Sequence, residues 1–199
     1  MRLVRQYFDN TGLLFPYIHR DSFINTYQKL ASSNFKNVRR SWLGMLNMIL
    51  ALSINCCYPS DLSQRQRRVE SNVFVLRAMA LCEKQIRSKA SLEIGSSRAY
   101  YLRLFPVAVS PCRLLAVSFS VQFLLLLSHY LQGTESSIQT WNVHGLAVKA
   151  SYQLGLHSKH ALDRYEPLER EVRVRTWYTC VLLDRYLQSG PQSIQRLAY

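Results

Sequence analysis

Residues 166–185 read EPLEREVRVRTWYTCVLLDR, and their pattern decides the fold class. Pro167 suits a first helical turn, where its missing N–H is not needed. Glu166 and Arg170, Glu169 and Arg173, and Glu171 and Arg175 are each four residues apart, with the acid on the N-terminal side. That order supports a helix by about 0.2–0.5 kcal/mol per pair. Trp177, Val181, Leu182 and Leu183 follow, so the predicted helix passes from a solvated to a buried environment along its length. No segment alternates with period two for long enough to make a convincing strand. The expectation is an all-α fold, an irregular helical bundle.

Working back from that helix, Gly155 stands where a left-handed residue ends a helix. The helix before it is expected to be capped by Thr134, Ser136 or Ser137, with an apolar stripe of Ile138, Trp141, Gly145, Val148 and Tyr152. Residues 118–131, with the run Leu124–Leu127, predict a buried helix stopped by Gly133. Asp61 is expected to cap a helix over 62–89, with Val69, Val73, Leu76 and Ala80 as its apolar stripe and Arg65, Arg67 and Arg68 before it. Ser41 is expected to cap a helix reaching Cys57 that is apolar nearly all round and therefore buried on all sides. Nearer the start, Asp21 or Ser22 caps a helix over 22–32 carrying Phe23, Tyr27 and Leu30, and residues 2–9 form a short helix ending at Asp9–Gly12.

The chain of 199 residues is 48% apolar and 19% charged, which excludes a disordered tail. With only 7 Gly and 6 Pro, an all-β fold full of tight turns is disfavoured. Net charge is +13, of which residues 1–120 carry +11. Such an excess is compatible with an acidic partner, nucleic acid or a membrane surface. The five cysteines, Cys56, Cys57, Cys82, Cys112 and Cys180, form no C-x-x-C pair, so no zinc site is readable and reduced thiols are expected. Cys56 and Cys57 are read as packing residues. The first residues lack the apolar core of a signal peptide.

Reactive motifs are missing. There is no glycine-rich phosphate loop and no G-x-S-x-G elbow. His157 and His160 have possible ligand spacing, but they lie between two helices without nearby Cys or paired carboxylates, and read as solvated. Glu166, Glu169 and Glu171 read as a solvated face with their arginines. Asp184 follows an apolar run near a helix C-terminus, where the helix dipole disfavours an acid. It is expected to form a structural ion pair with a group elsewhere in the fold.

Several of these strings, in order, resemble the fungal-specific transcription factor domain, the regulatory middle region of fungal zinc binuclear cluster activators. Tyr7-Phe8 followed by Pro16-Tyr17-Ile18-His19-Arg20-Asp21-Ser22-Phe23 is similar to the family's opening. Leu46–Ile54 and Val121–Leu131 are similar to its buried helices. Trp141, Gly145 and Ala147, then Leu154-Gly155-Leu156-His157, match its Trp-x-x-x-Gly-x-Ala and Leu-Gly-Leu-His patterns. Glu169, Arg173, Arg175, Trp177, Tyr178, Asp184 and Arg185 match its acidic, Arg-rich, double-aromatic and Asp-Arg signature. Val174 replaces a usual Arg, Tyr178 a usual Trp, and Gly190-Pro191 a usual Gly-Arg-Pro.

The resemblance implies a partial domain over 1–199, incomplete at its C-terminus, with family-signature residues that serve structure rather than catalysis. Residues 95–120, with Pro106 and Pro111, interrupt the pattern and read as an insertion from an unspliced intron or a faulty gene model. Genomic DNA without splice signals at their edges would refute that origin. The resemblance further implies a non-enzymatic, nuclear regulator of transcription with no cofactor of its own. DNA would be read by an N-terminal zinc cluster outside this chain, and regulatory proteins or a small effector are the expected partners. The alternative is a membrane-associated helical protein using 104–127, although its longest clean apolar run, Leu114–Leu127, is 14 residues against the roughly 20 a span needs.

Overall fold

The computed structural model describes residues 1–57, 63–90, 111–134 and 137–188, and among these every regular element is a helix. The elements are α1 (Arg2–Asp9), α2 (Thr11–Leu14), α3 (Arg20–Ser32), α4 (Arg40–Cys57), α5 (Gln64–Ala90), α6 (Pro111–Gln132), α7 (Ser137–Gln153), α8 (Lys159–Leu162) and α9 (Pro167–Gln188). α4 is the hub, packed on α1, α5 and α6, and α6 in turn packs on α7 and α9.

The two most apolar helices sit where their composition requires. Every residue of 121–128 in α6 is buried, because α4 lies on one side and α7 and α9 on the others. In α4, Met45, Met48, Ile49 and Ala51 are wholly buried. Gly44 lets α5 approach closely: a Cβ there would overlap Cys82 Sγ. Polar ties cross these apolar seams. Ser53 Oγ donates to the Leu3 carbonyl at 2.7 Å, the Ser71 and Tyr130 hydroxyls meet at 3.0 Å, and Gln122 Nε2 donates to the Tyr17 carbonyl at 2.7 Å. The first two join helix to helix, the third ties α6 to the loop before α3, and each keeps a polar atom partnered.

Among the described residues no helix is long and apolar enough to cross a membrane. The membrane alternative is therefore not favoured, and residues 121–127 of its stretch 104–127 are buried within the protein. Of the proposed insertion 95–120, residues 95–110 lie outside the described residues, and 111–120 form the first turns of α6.

Several helix starts differ from expectation. His19, not Asp21 or Ser22, caps α3: its Nδ1 accepts the Ser22 N–H at 3.3 Å and lies 2.8 Å from Ser22 Oγ. α4 begins one residue before Ser41, which is buried. α5 begins at Gln64, and its cap is Ser63: the Ser63 hydroxyl accepts from the Gln66 N–H at 3.3 Å while Gln66 Oε1 accepts from the Ser63 N–H at 3.0 Å. This is a reciprocal capping box. The expected cap Asp61 lies outside the described residues, as does Ser136 before α7.

The expected apolar faces of α5 and α7 point to solvent. Val69, Val73 and Leu76 are exposed, and α5 buries Ser71, Val75, Ala78 and Cys82 instead. In α7, Ile138, Trp141 and Tyr152 are exposed while Thr140, His144, Ala147 and Ser151 are buried. Small side chains on the inner face allow close helix approach, and hydroxyls there bond back to their own helix, as Ser151 Oγ does to the Val148 carbonyl at 2.6 Å. Cys56, in the last turn of α4, is also exposed rather than packed as expected.

Candidate functional site

Three helices, with the loop before α4, line a cavity of about 530 Å³. α3 contributes His19, Ser22 and Phe23, α4 contributes Trp42 and Met45 with Arg39 just before it, and α9 contributes Glu169, Val172 and Arg173. The walls are mostly apolar, with the Phe23 and Trp42 rings stacked at 5.1 Å.

Arg173 is the unusual member, a cation with only 1% of its surface exposed. Its Nη2 and Nε donate to a single Glu169 oxygen at 2.8 and 3.2 Å, and its guanidinium lies 3.9 Å over the Tyr165 ring. Nη1 is buried and donates to nothing among the described residues. The expectation of a solvated Glu–Arg face therefore holds only in part. Glu171 and Arg175 pair at 2.8 Å on the surface, but Arg173 is interior. Glu166 precedes the helix, where its carbonyl accepts the Arg170 N–H, and the Arg170 side chain faces Asp163 at 3.8 Å instead.

The sequence-predicted residues separate into distinct places. His19, Phe23 and Arg173 meet at the cavity. Arg20 pairs with Asp9 at 3.0 Å, tying α3 to α1. Gly155 and Leu156 form the end of α7, with Gly155 at φ +67°. The Leu156 N–H reaches the Ser151 carbonyl and the Gly155 N–H the Tyr152 carbonyl, a Schellman motif that accounts for the Leu-Gly-Leu-His string. His157 is exposed, with its ring 4.9 Å from Tyr152 and 5.8 Å from Trp177. Trp141 is exposed, and a Cβ at Gly145 would meet nothing within 4 Å. Arg185 lies on the outer side of α9.

Asp184 finds its partner on another helix, as expected, but the contact is not a simple ion pair. Asp184 Oδ1 lies 3.8 Å from the buried His144 Nε2, and Gln188 Nε2 donates to Oδ2 at 2.7 Å. Burial lowers the His144 pKa, outweighing the opposite pull of Asp184, so the imidazole is neutral at pH 7. Nearby, burial lowers His129 to about 4 and raises Cys180 to about 12. A thiol so protonated and wholly buried is not a nucleophile. Among the described residues, no three His, Cys, Asp or Glu side chains gather as a metal site.

The cavity, missed in the sequence, had one signal. The buried stripe of α9 runs Leu183, Cys180, Thr176 and then Arg173, so helical periodicity alone places that arginine inside.

What these residues define is a helical scaffold with a mostly apolar recess lined by α3, α4 and α9. Residues 4–189 match the model of the fungal specific transcription factor domain, and the chain belongs to that family. It is similar to the transcription factor FBD3 of Gibberella moniliformis, 33% identical over 94% of this chain and 22% of that protein. It is also similar to FBD3 of Fusarium pseudograminearum, 36% identical over 92% of this chain and 20% of that protein. An ABC-transporter-regulating transcription factor of Aspergillus fumigatus is 25% identical over 98% of this chain and 19% of its own length. The chain thus spans about a fifth of each of these relatives. No solved structure matches.

Proposed function

We propose that this chain is the regulatory, non-DNA-reading module of a longer fungal transcription factor that works in the nucleus, and that it is not an enzyme. The observation that carries this reading is the family match over residues 4–189, together with relatives whose names are those of transcription factors. A zinc cluster elsewhere in the longer protein would read DNA. The helical module would receive regulatory proteins or a small effector and alter the activity of the whole. Its basic N-terminal half adds at most a salt-dependent, sequence-independent attraction for phosphates.

Fused to an unrelated DNA-binding domain in a fungal host, the chain is expected to change transcription from a matching reporter. A fusion that reaches the nucleus at normal abundance and leaves the reporter unchanged would overturn the reading. So would a purified chain that selects a DNA sequence without any added domain.

A further inference from the structure

We propose that the cavity beside Arg173 is a binding site for a small monocarboxylic acid with an aromatic or aliphatic body. This deepens the regulatory reading by naming the chemistry of an effector, and it rests on that reading only for what binding would control. The recess of about 530 Å³ falls within the range of about 300–1,000 Å³ typical of small-molecule sites. Phe23, Trp42, Met45 and Val172 supply the apolar wall that such sites use for the body of a ligand.

The polar end is specified by Arg173. A guanidinium has five N–H donors, and here Glu169 takes two of its nitrogens through one oxygen while Tyr165 covers its face. Nη1 has no partner among the described residues, in a buried side chain that is part of the cavity's lining. A buried donor without an acceptor is costly, and a ligand oxygen would remove that cost. Charge decides between a carboxylate and an uncharged oxygen. Two arginines, Arg173 and Arg39, stand against one acid, Glu169, among the cavity's charged side chains. A cation is therefore repelled, and an anion gains more than a neutral acceptor.

The test uses the whole 199-residue chain and matched probes, 4-phenylbutyrate with 4-phenylbutanol and decanoate with decanol. Binding is read by calorimetry and by the Tm of the chain. The acids are expected to bind saturably and to raise the Tm, about tenfold or more tightly than the alcohols. Val172→Phe, which fills the recess and leaves the Arg173–Glu169 pair in place, is expected to abolish binding of both acids. Arg173→Met is expected to erase the preference for acid over alcohol. If that variant does not fold, Arg173→Lys, which keeps the charge but not the stacked fork, is expected to weaken acid binding while retaining some preference. Equal affinity for acid and alcohol in the unaltered chain, no binding to the folded chain at millimolar probe, or unchanged binding in Val172→Phe would each overturn the proposal. The reporter fusion fails separately if the regulatory role is wrong, since binding is measured without transcription.

Discussion

The crossing of α4 and α5 makes a quantitative prediction at Gly44. Alanine is the better helix former by about 0.8–1.0 kcal/mol, so Gly44→Ala in an open helix would stabilise. Here the added Cβ overlaps Cys82 Sγ, while its next neighbours, the Ala78 carbonyl and the Phe123 ring, both stand at an ordinary 3.6 Å. Cys82 is 2% exposed, so its sulfur has little room to swing away. Overpacking costs about 1–3 kcal/mol, and a full overlap with a buried sulfur takes the upper part of that range, about 2–3 kcal/mol. The net effect expected for Gly44→Ala is a loss of about 1–2 kcal/mol. Cys82→Ala removes the sulfur and leaves a small void, costing about 1 kcal/mol on its own. In the double variant the clash is gone and the helix gain remains, so Gly44→Ala becomes stabilising by about 1 kcal/mol in that background. The coupling between the two sites is therefore about 2 kcal/mol or more, read as a double-mutant cycle from urea denaturation midpoints at constant m. Additive losses, or an unaltered midpoint for Gly44→Ala alone, would show that the sulfur does not set the helix separation.

Other expectations follow from the same interior. His129 is held to about 4 against an ordinary 6.5, so the unfolded chain takes up this proton first as pH falls. Stability is then lost from about pH 6.5 down to pH 4, by about 3 kcal/mol from this group, with His144 shifted in the same direction. His129→Phe should flatten that part of a denaturation-versus-pH curve, and an equally steep curve would contradict the burial. Gly155→Ala should lower stability by about 1–2 kcal/mol, because φ is +67° and the new Cβ meets Ala161 at 3.2 Å, whereas Gly145→Ala, facing open space, should raise it by about 0.5–1 kcal/mol. Thermal melts of the pair separate the two roles by sign. Asp184→Ala, which removes the contacts to His144 Nε2 and Gln188 Nε2, should lower the Tm; an unchanged Tm would count against those contacts.

Which parts of the fold could be read in advance follows from side-chain size. α4 and α6 announce themselves because an unbroken apolar run of helical length has to be covered on every side. Gly133 and Gly155 mark helix ends because the chain needs a stop or a left-handed residue there. α5 and α7 were misassigned in orientation because their largest apolar residues, Leu76 and Trp141 among them, point outward. The seams use Ser71, Ala78, Thr140 and Ala147, whose small size permits close contact but gives a weak periodic signal. The cavity was hidden for a different reason. Its walls come from residues 18–45, from Gln122 and from residues 168–173, brought together only by the packing of α3, α4, α6 and α9. His19, Phe23 and Arg173 were singled out one by one, but nothing in their spacing joins them.

The outward stripes on α5 and α7 bear on handling the molecule. Val69, Val73 and Leu76 on one helix, and Ile138, Trp141 and Tyr152 on another, turn oily ridges toward water on a body that also carries a large positive charge. Charge repulsion keeps such particles apart at low ionic strength, and added salt screens it. Purified material should accordingly stay dispersed in dilute buffer and clump as sodium chloride rises, opposite to the behaviour of a protein held in aggregates by ionic attraction.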